Sequence, residues 1–414
     1  MKKIPPVIEI DLGSLAQWVM GGIALLVLVV LGALLFRPPG NPDEVPAGAF
    51  LLVTARPTIV PTPTTERSVF SFIVTPTPGG TPEPMSTLIP ITPPAVVYPP
   101  ARGRSGFHVG GQVIDFGQNA IDKMTYAGLQ WVKFQVAEGD NDVTDKINRA
   151  RSLGFRVLIS IMGDPARVED PAYHAQFAQF AGSVAADGAD AIEIWNEPNI
   201  ARDWPAGKID PGLYIEILRP SYQAINAVNP NVIVISAGLA PTLVSESLRT
   251  SNFWTEVDYT TQFVADGGLN YTDCMGIHYN IAISPPTWRD DARTGDAAFF
   301  FMPQLLEHYA QVTRNTRPVC FTEFGILTDE GYAPLAEVAP DFGWAAQNTL
   351  QDQGEWLSQA IQLSAVNPQV EMIIIWNVDF WHYGADPHAG YAIIRRDGGC
   401  PTCEYLRRVL IGGQ

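Results

Sequence analysis

Residues 191–199 read Ala-Ile-Glu-Ile-Trp-Asn-Glu-Pro-Asn, and the rest of the chain is organised around them. The first four residues are mostly apolar, as is typical of a short, buried parallel strand. Pro198 has no backbone N–H and holds its predecessor extended, so we expect the strand to stop at Glu197. The pattern therefore predicts a carboxylate at the carboxyl end of a buried strand. In a barrel of alternating strands and helices, that end carries the active site.

A second stretch, residues 317–325, has the same organisation and reads Arg-Pro-Val-Cys-Phe-Thr-Glu-Phe-Gly. It starts at a proline, continues through apolar residues and ends with Glu323 beside Gly325. Two strand-end carboxylates on one barrel can face each other across a sugar. One then acts as general acid and the other as nucleophile. Glu197 and Glu323 are therefore the candidate catalytic residues.

Strand-like and helix-like segments alternate from residue 105 to the end of the chain at residue 414. The predicted strands are 106–113, 130–136, 156–162, 191–196, 232–237, 274–279, 319–322 and 371–376, and the clearest predicted helices are 144–153, 172–186, 211–228 and 348–366. Eight alternations over about 300 residues favour an α/β fold of the (β/α)8 TIM-barrel type for 105–414. No glycine-rich nucleotide-binding pattern follows the first strand, so we expect no nucleotide cofactor, and the proposed chemistry needs no metal.

The first 104 residues differ in composition from the rest. An apolar run, 18–36, lies between Lys2–Lys3 and Arg37 and is long enough to cross a bilayer as a helix. We predict a short cytoplasmic segment at 1–16, a transmembrane signal anchor at 17–37 and a disordered Pro/Thr-rich linker or stalk at 38–104. The barrel would then be extracellular on a single-pass protein of the cell membrane. A cleaved signal peptide is the alternative for the apolar run.

The net charge and the cysteine content limit which functions are plausible. The formal net charge of −17 makes a nucleic-acid partner a poor hypothesis, because an acidic chain is not expected to present a basic surface to a phosphate backbone. Cys274 and Cys320 lie in apolar strand-like runs and are expected to be buried free thiols. Cys400 and Cys403 form a lone Cys-x-x-Cys, for which a local disulfide is the prediction and a redox motif the alternative.

With both glutamate motifs placed, the chain resembles the retaining glycoside hydrolases built on (β/α)8 barrels. Their acid/base glutamate ends strand four and their nucleophile ends strand seven, which correspond here to Glu197 and Glu323. The corner Trp-Asn-Glu-Pro-Asn is most similar to glycoside hydrolase family 39, with cellulase-type family 5 next. The resemblance covers residue 106 to the carboxyl terminus and implies hydrolysis of a β-linked O-glycoside, with carbohydrate as the partner.

The resemblance also implies the residues that would bind substrate: Asn196, His278, Tyr279, Asn280, Trp376 and Trp381. Asn196 would bond the sugar 2-hydroxyl, Trp376 would form an aromatic floor at the end of strand eight, and Trp381 would line the rim. Asn280 stands where the family commonly has a tyrosine that orients the nucleophile, so either Tyr279 compensates or the support differs.

Strand two contributes one further hypothesis from the residues themselves. Lys133 and Gln135 share one face by alternation, and if that face is inward Lys133 can pair with Glu193. Three competing functions remain. They are a transglycosylase on the same site, a non-catalytic carbohydrate-binding surface protein, and a structural surface protein; the intact pair of glutamate motifs argues against the last two.

Overall fold

The computed structural model describes residues 106–242, 247–291 and 301–412. Its parallel strands are β1 (His108–Gln112), β2 (Trp131–Ala137), β3 (Arg156–Met162), β4 (Ala191–Ile194), β5 (Ile233–Ser236), β6 (Met275–Tyr279), β7 (Val319–Phe324) and β8 (Val370–Ile375). Their hydrogen-bonded order is β5-β4-β3-β2-β1-β8-β7-β6. Parallel bridges from Ile235 to Cys274 and from Leu239 to Ile277 join the two ends of this order. The sheet therefore closes, and the predicted (β/α)8 barrel is confirmed for this part of the chain.

Helices connect the strands in the order that the sequence predicted. Those described are α1 (Gln118–Ala127), α2 (Val143–Ser152), α3 (Pro171–Ala186), α4 (Pro211–Val228), α5 (Glu256–Ala265), α6 (Met302–Thr313), α7 (Leu335–Val338), α8 (Leu350–Val366), α9 (His388–Tyr391) and α10 (Pro401–Leu410). Helix α4 has the predicted bounds, because the Asp210 carboxylate accepts a hydrogen bond from Gly212 N (2.8 Å) and Pro211 occupies the first turn. Helix α8 starts two residues later than predicted, since Thr349 is its N-cap in a capping box with Asp352.

The barrel interior changes from apolar to charged along the strands. One inward cluster consists of Trp131, Leu158, Ala191, Ile235, Cys274, Cys320, Met372 and Ile374. Two residues further along β2 and β4, the fully buried side chains are those of Lys133 and Glu193. An apolar layer therefore lies beneath a polar layer at the carboxyl ends of the strands, the end that carries active sites in this fold.

Both cysteine pairs are disulfide-bonded. Cys400 and Cys403 form the predicted local bridge. The prediction that Cys274 and Cys320 are free thiols is wrong, because they are bonded to each other with their Cα atoms 5.9 Å apart. Cys320 lies in β7 and Cys274 directly precedes β6, and pairing of these neighbouring strands brings together residues 46 positions apart in sequence.

The predictions for 1–16, 17–37 and 38–104 lie outside the described residues. Among the helices that the structure does describe, none is long and apolar enough to span a bilayer.

Candidate active site

A strained corner presents Glu197 at the carboxyl end of β4. The strand ends at Ile194, earlier than predicted, because Trp195 has φ 72° and Glu197 has φ 40°. The buried Trp195 side chain anchors this corner through a hydrogen bond from Nε1 to Asp203 O (2.9 Å). A Cβ at Gly163 would lie 1.8 Å from the Trp195 ring, so only glycine leaves room for it. Backbone strain of this kind is held in place by its surroundings and clusters at functional sites.

Glu323 faces Glu197 from β7, and His278 of β6 lies between them. The His278 Nδ1 atom is 2.8 Å from Glu197 Oε1 and 3.6 Å from Glu323 Oε2. One oxygen of each carboxylate and one His278 nitrogen all lie within 4.8 Å of one another. Asn280 Nδ2 donates to Glu323 Oε2 at 2.9 Å. The two strand-end glutamates named from the sequence therefore share one cluster with His278 and Asn280.

Glu323 reaches this cluster through an irregularity in the sheet. The register of β7 against β8 shifts between Phe321 and Phe324, and the register of β6 against β7 shifts before His278. Phe321 and Phe324 both pack in the outer core between strands and helices. A β-bulge changes the direction in which the side chain of the bulged residue points. The Glu323 side chain accordingly points into the barrel, where it lies 3.6 Å from Lys133 Nζ.

Lys133 supplies a buried positive charge beneath the two glutamates. Its Nζ atom is 3.0 Å from Glu193 Oε2 and donates to Thr322 O at 3.2 Å. The predicted Lys133–Glu193 pair is thus confirmed. Glu193 also accepts a hydrogen bond from Gly238 N (3.1 Å). Buried charges need partners of this kind, because an unpaired one would carry the full cost of desolvation.

Two residues that the sequence did not single out complete the charged cluster. The Arg202 guanidinium hydrogen-bonds Glu197 Oε2, and its Nη2 also lies 3.2 Å from Asp203 Oδ2. Asn196 Nδ2 donates to the same Asp203 oxygen at 2.8 Å. Among the residues that the structure describes, Asn196 Oδ1 is one of the buried polar atoms without a hydrogen-bond partner. Residues 200–203 follow the corner as a loop, and no periodic pattern signals where a loop side chain folds back.

These contacts shift the ionisation of the site. Burial raises the pKa of Glu197, but Arg202 and His278 outweigh it and bring the pKa down to about 2. Burial by itself would lower the pKa of His278. The negative charges of Glu323 and Glu197 raise this pKa by more than burial lowers it, so the net shift is upward. For Asp203, burial raises the pKa more than Arg202 lowers it. In the ligand-free protein Glu197 is therefore held ionised.

The structure places the three predicted aromatic site residues in different environments. Trp376 directly follows β8, is half-buried, and packs edge-on against Phe380 and near His388, with centroid distances of 4.8 and 5.4 Å. Trp381 is 72% exposed in the following loop. Tyr279 is buried outside the barrel, its ring 4.9 Å from that of Phe324, because alternation along β6 turns it away from His278. A contact between Tyr279 and substrate is thus not supported, and Asn280 makes the hydrogen bond to Glu323.

Comparison with known proteins finds distant structural neighbours. No protein-family model matches the chain, and no curated protein matches it. Solved structures similar to it include glycoside hydrolases. A GH128 (subgroup II) endo-β-1,3-glucanase from Sorangium cellulosum has 16% identity and TM-score 0.48, covering 73% of this chain and 98% of its own. The GH53 catalytic domain of Ignisphaera aggregans has 14% identity and TM-score 0.49, covering 76% and 99%.

Endoglucanase Cel5A of Thermotoga maritima is a further neighbour, with 15% identity and TM-score 0.44, covering 73% of this chain and 97% of its own. At these identities, and with TM-scores below 0.5, the likeness carries no argument about the activity or the substrate.

The donor atoms of the site would also suit a metal ion, since Glu197, His278 and Glu323 can each offer one ligand atom. Two positively charged side chains already contact the carboxylates of this trio. Arg202 is bonded to one Glu197 oxygen, and Lys133 lies 3.6 Å from Glu323. A metal ion at these atoms would have to share the two carboxylates with Arg202 and Lys133.

Proposed function

We propose that the barrel hydrolyses a β-linked O-glycoside with retention of anomeric configuration. The observation that carries the proposal is the facing pair of Glu197 and Glu323 at the carboxyl ends of β4 and β7, with oxygens within 4.8 Å. Retaining glycosidases hold their two carboxyl groups about 5–5.5 Å apart, and inverting ones about 6.5–9.5 Å apart. One oxygen of each glutamate lies within 4.8 Å of the other, which brings the pair close enough for the retaining arrangement.

In this mechanism Glu323 attacks the anomeric carbon while the bond to the leaving oxygen breaks. Glu197 gives its proton to that oxygen, which departs as an alcohol. A water molecule then enters, Glu197 takes one of its protons, and the remaining hydroxyl displaces Glu323 from the anomeric carbon. The free carboxylate and the protonated acid are thereby regenerated.

Several neighbours have defined roles in this proposal. Asn280 and Lys133 hold the Glu323 carboxylate in place through its two different oxygens, at 2.9 and 3.6 Å. Asn196 Oδ1 would accept a hydrogen bond from a sugar hydroxyl. The half-buried Trp376 would stack on the apolar face of the sugar, and the exposed Trp381 would extend that surface at the rim.

A screen of aryl β-glycosides and soluble β-glycans tests the activity, and NMR of the first-formed anomer tests the stereochemistry. Glu323→Ala should abolish turnover of every substrate, because no glycosyl-enzyme can form. Glu197→Ala should still react with good leaving groups, then stall until azide releases a glycosyl azide of retained configuration. Azide with Glu323→Ala should instead give the inverted product. Glu307→Gln, an exposed carboxylate change, is the matched control and should leave rates unchanged.

Swapped behaviour of the two alanine variants would exchange the acid and nucleophile assignments. Full activity in both would remove the glycosidase proposal. Transfer of the glycosyl group to a second sugar in preference to water would identify a transglycosylase. Binding of a β-glycan without turnover by the wild type would identify a carbohydrate-binding protein.

We further propose that the barrel acts on glycan at the cell surface, on a stalk anchored by the apolar segment. Two disulfides in the described part of the chain support an oxidising compartment. The Pro/Thr-rich composition of 38–104 supports a semi-rigid spacer. Protease added to intact cells should release a soluble, active domain; cleavage only after lysis would place the domain inside the cell.

A further inference from the structure

Both oxygens of Glu197 are occupied in the ligand-free site. His278 Nδ1 lies 2.8 Å from Oε1, and the Arg202 guanidinium is bonded to Oε2. The His278 side chain is fully buried and the Glu197 side chain 7% exposed, whereas the Arg202 side chain is 33% exposed. Arg202 is therefore the partly exposed partner of Glu197, and His278 is the fully buried one. A general acid must present a protonated oxygen to the leaving group, and neither oxygen is free to do so here.

Arg202 has a second carboxylate within reach on its own loop. Its Nη2 and Nε atoms lie 3.2 and 3.4 Å from Asp203 Oδ2, and Asn196 fixes that oxygen from the other side at 2.8 Å. The guanidinium also feels the negative charge of Asp386 in the loop after β8. A small rotation away from Glu197 would therefore keep the Arg202 charge compensated.

We propose that Arg202 is a displaceable latch on the acid/base: it occupies Glu197 Oε2 while the site is empty and moves onto Asp203 when the leaving-group sugar enters. The freed Oε2 then takes up one proton from solvent and becomes the donor to the glycosidic oxygen. This proposal rests on the assignment of Glu197 as acid/base. It makes Arg202 a positioning residue that couples occupancy of the site to protonation.

The charges around Glu197 are consistent with such a movement. With Arg202 in place, the charges of Arg202 and His278 outweigh burial and hold the pKa of Glu197 well below its usual range. The charged groups that face Glu197 are Arg202 and Asp203 from its own loop, His278 from β6, Glu323 from β7, Lys133 from β2 and Glu256 from the start of α5. Arg202 is the partly exposed cation of this set, so it is the one that an incoming sugar can displace.

The latch can be tested without any glycoside by titrating Glu197 directly. Full-length protein labelled with ¹³C at the glutamate side-chain carboxyl would be followed by NMR, with the Glu197 signal assigned by its loss in Glu197→Gln. In Arg202→Gln its midpoint should rise by at least about one pH unit. Arg202→Lys keeps a cation and should stay nearer the wild type, and Arg219→Gln, an exposed arginine of α4, should not move it. An unchanged midpoint in Arg202→Gln would overturn the proposal.

A second variant, Asp203→Asn, tests the proposal independently of whether Arg202→Gln folds. Asp203→Asn removes the alternative partner and a negative charge near Glu197, so the Glu197 midpoint should fall or stay at its low value. A rise of that midpoint in Asp203→Asn would contradict the latch.

Kinetics then separate a latch from a substrate contact. For a substrate with a poor leaving group, Arg202→Gln should lower KM several-fold and move the basic limb of kcat/KM to higher pH, with kcat little changed. A raised KM with an unmoved basic limb would make Arg202 a sugar-binding residue instead. If the wild type hydrolyses no glycoside, the proposed function fails, while the NMR titration still decides the Arg202–Glu197 contact.

Discussion

Replacing Lys133 with methionine should destabilise the folded protein in a pH-dependent manner. The ammonium group is fully buried, 3.0 Å from Glu193 and 3.6 Å from Glu323. Methionine retains much of the side-chain volume but removes the charge, which leaves the Glu193 carboxylate fully buried without its cation. Breaking a buried pair in this way costs about 3–5 kcal/mol in free energy of unfolding, which we expect at pH 7.

The pH dependence follows from the ionisation of Glu193. In the wild type, burial raises its pKa, but Lys133 and His278 outweigh this and hold the pKa below 4.5. The pair therefore stabilises fully above the pKa of Glu193 in the unfolded chain, and its contribution is lost as pH falls through the lower folded-state pKa. In Lys133→Met the largest charge that opposes burial is gone, so Glu193 binds its proton at a higher pH than in the folded wild type. The stability gap between the two proteins should therefore shrink between pH 7 and pH 4.

Urea unfolding followed by tryptophan fluorescence at several pH values measures this gap. Lys146→Met is the matched control. It removes a surface lysine paired with Asp142 and should cost under about 0.5 kcal/mol. Lys133→Met combined with Glu193→Met should recover much of the loss, because no isolated charge remains between them. A loss below about 1 kcal/mol at pH 7, or one that does not change with pH, would refute the reasoning.

Three further outcomes are expected. Under denaturing, non-reducing conditions a thiol reagent should modify none of the four cysteines, and reduction should expose all four; two labelled sites before reduction would disprove the inter-strand disulfide. Gly163→Ala should reduce activity strongly, because its Cβ would lie 1.8 Å from the Trp195 ring, whereas Gly117→Ala, with nothing within 4 Å, should be neutral. Trp376→Ala should lower kcat/KM by at least about tenfold with little loss of stability, and Trp381→Ala should mainly raise KM for long glycans; unfolding of the first variant would make Trp376 a core residue.

Local patterns in the sequence were sufficient to predict the barrel architecture and to single out Glu197 and Glu323. Apolar runs fit buried parallel strands, and Asp210-Pro211 fits a helix start, because strand burial and helix capping depend on neighbours close in the chain. The same local logic placed Glu197 and Glu323 at strand ends. The Lys133–Glu193 pair also followed, since side chains alternate along a strand with a period of two.

The rest was decided by contacts between distant parts of the chain. Cys274 and Cys320 meet because β6 and β7 are neighbours, and Glu323 points inward because the register shifts within β7. Arg202 folds back onto Glu197 from a loop, where no periodicity constrains a side chain. Sequence alone therefore determined which residues stand at the ends of the strands. Only the closed barrel determined their partners and charges, because burial and electrostatic contacts depend on distances in space, which spacing along the chain does not give.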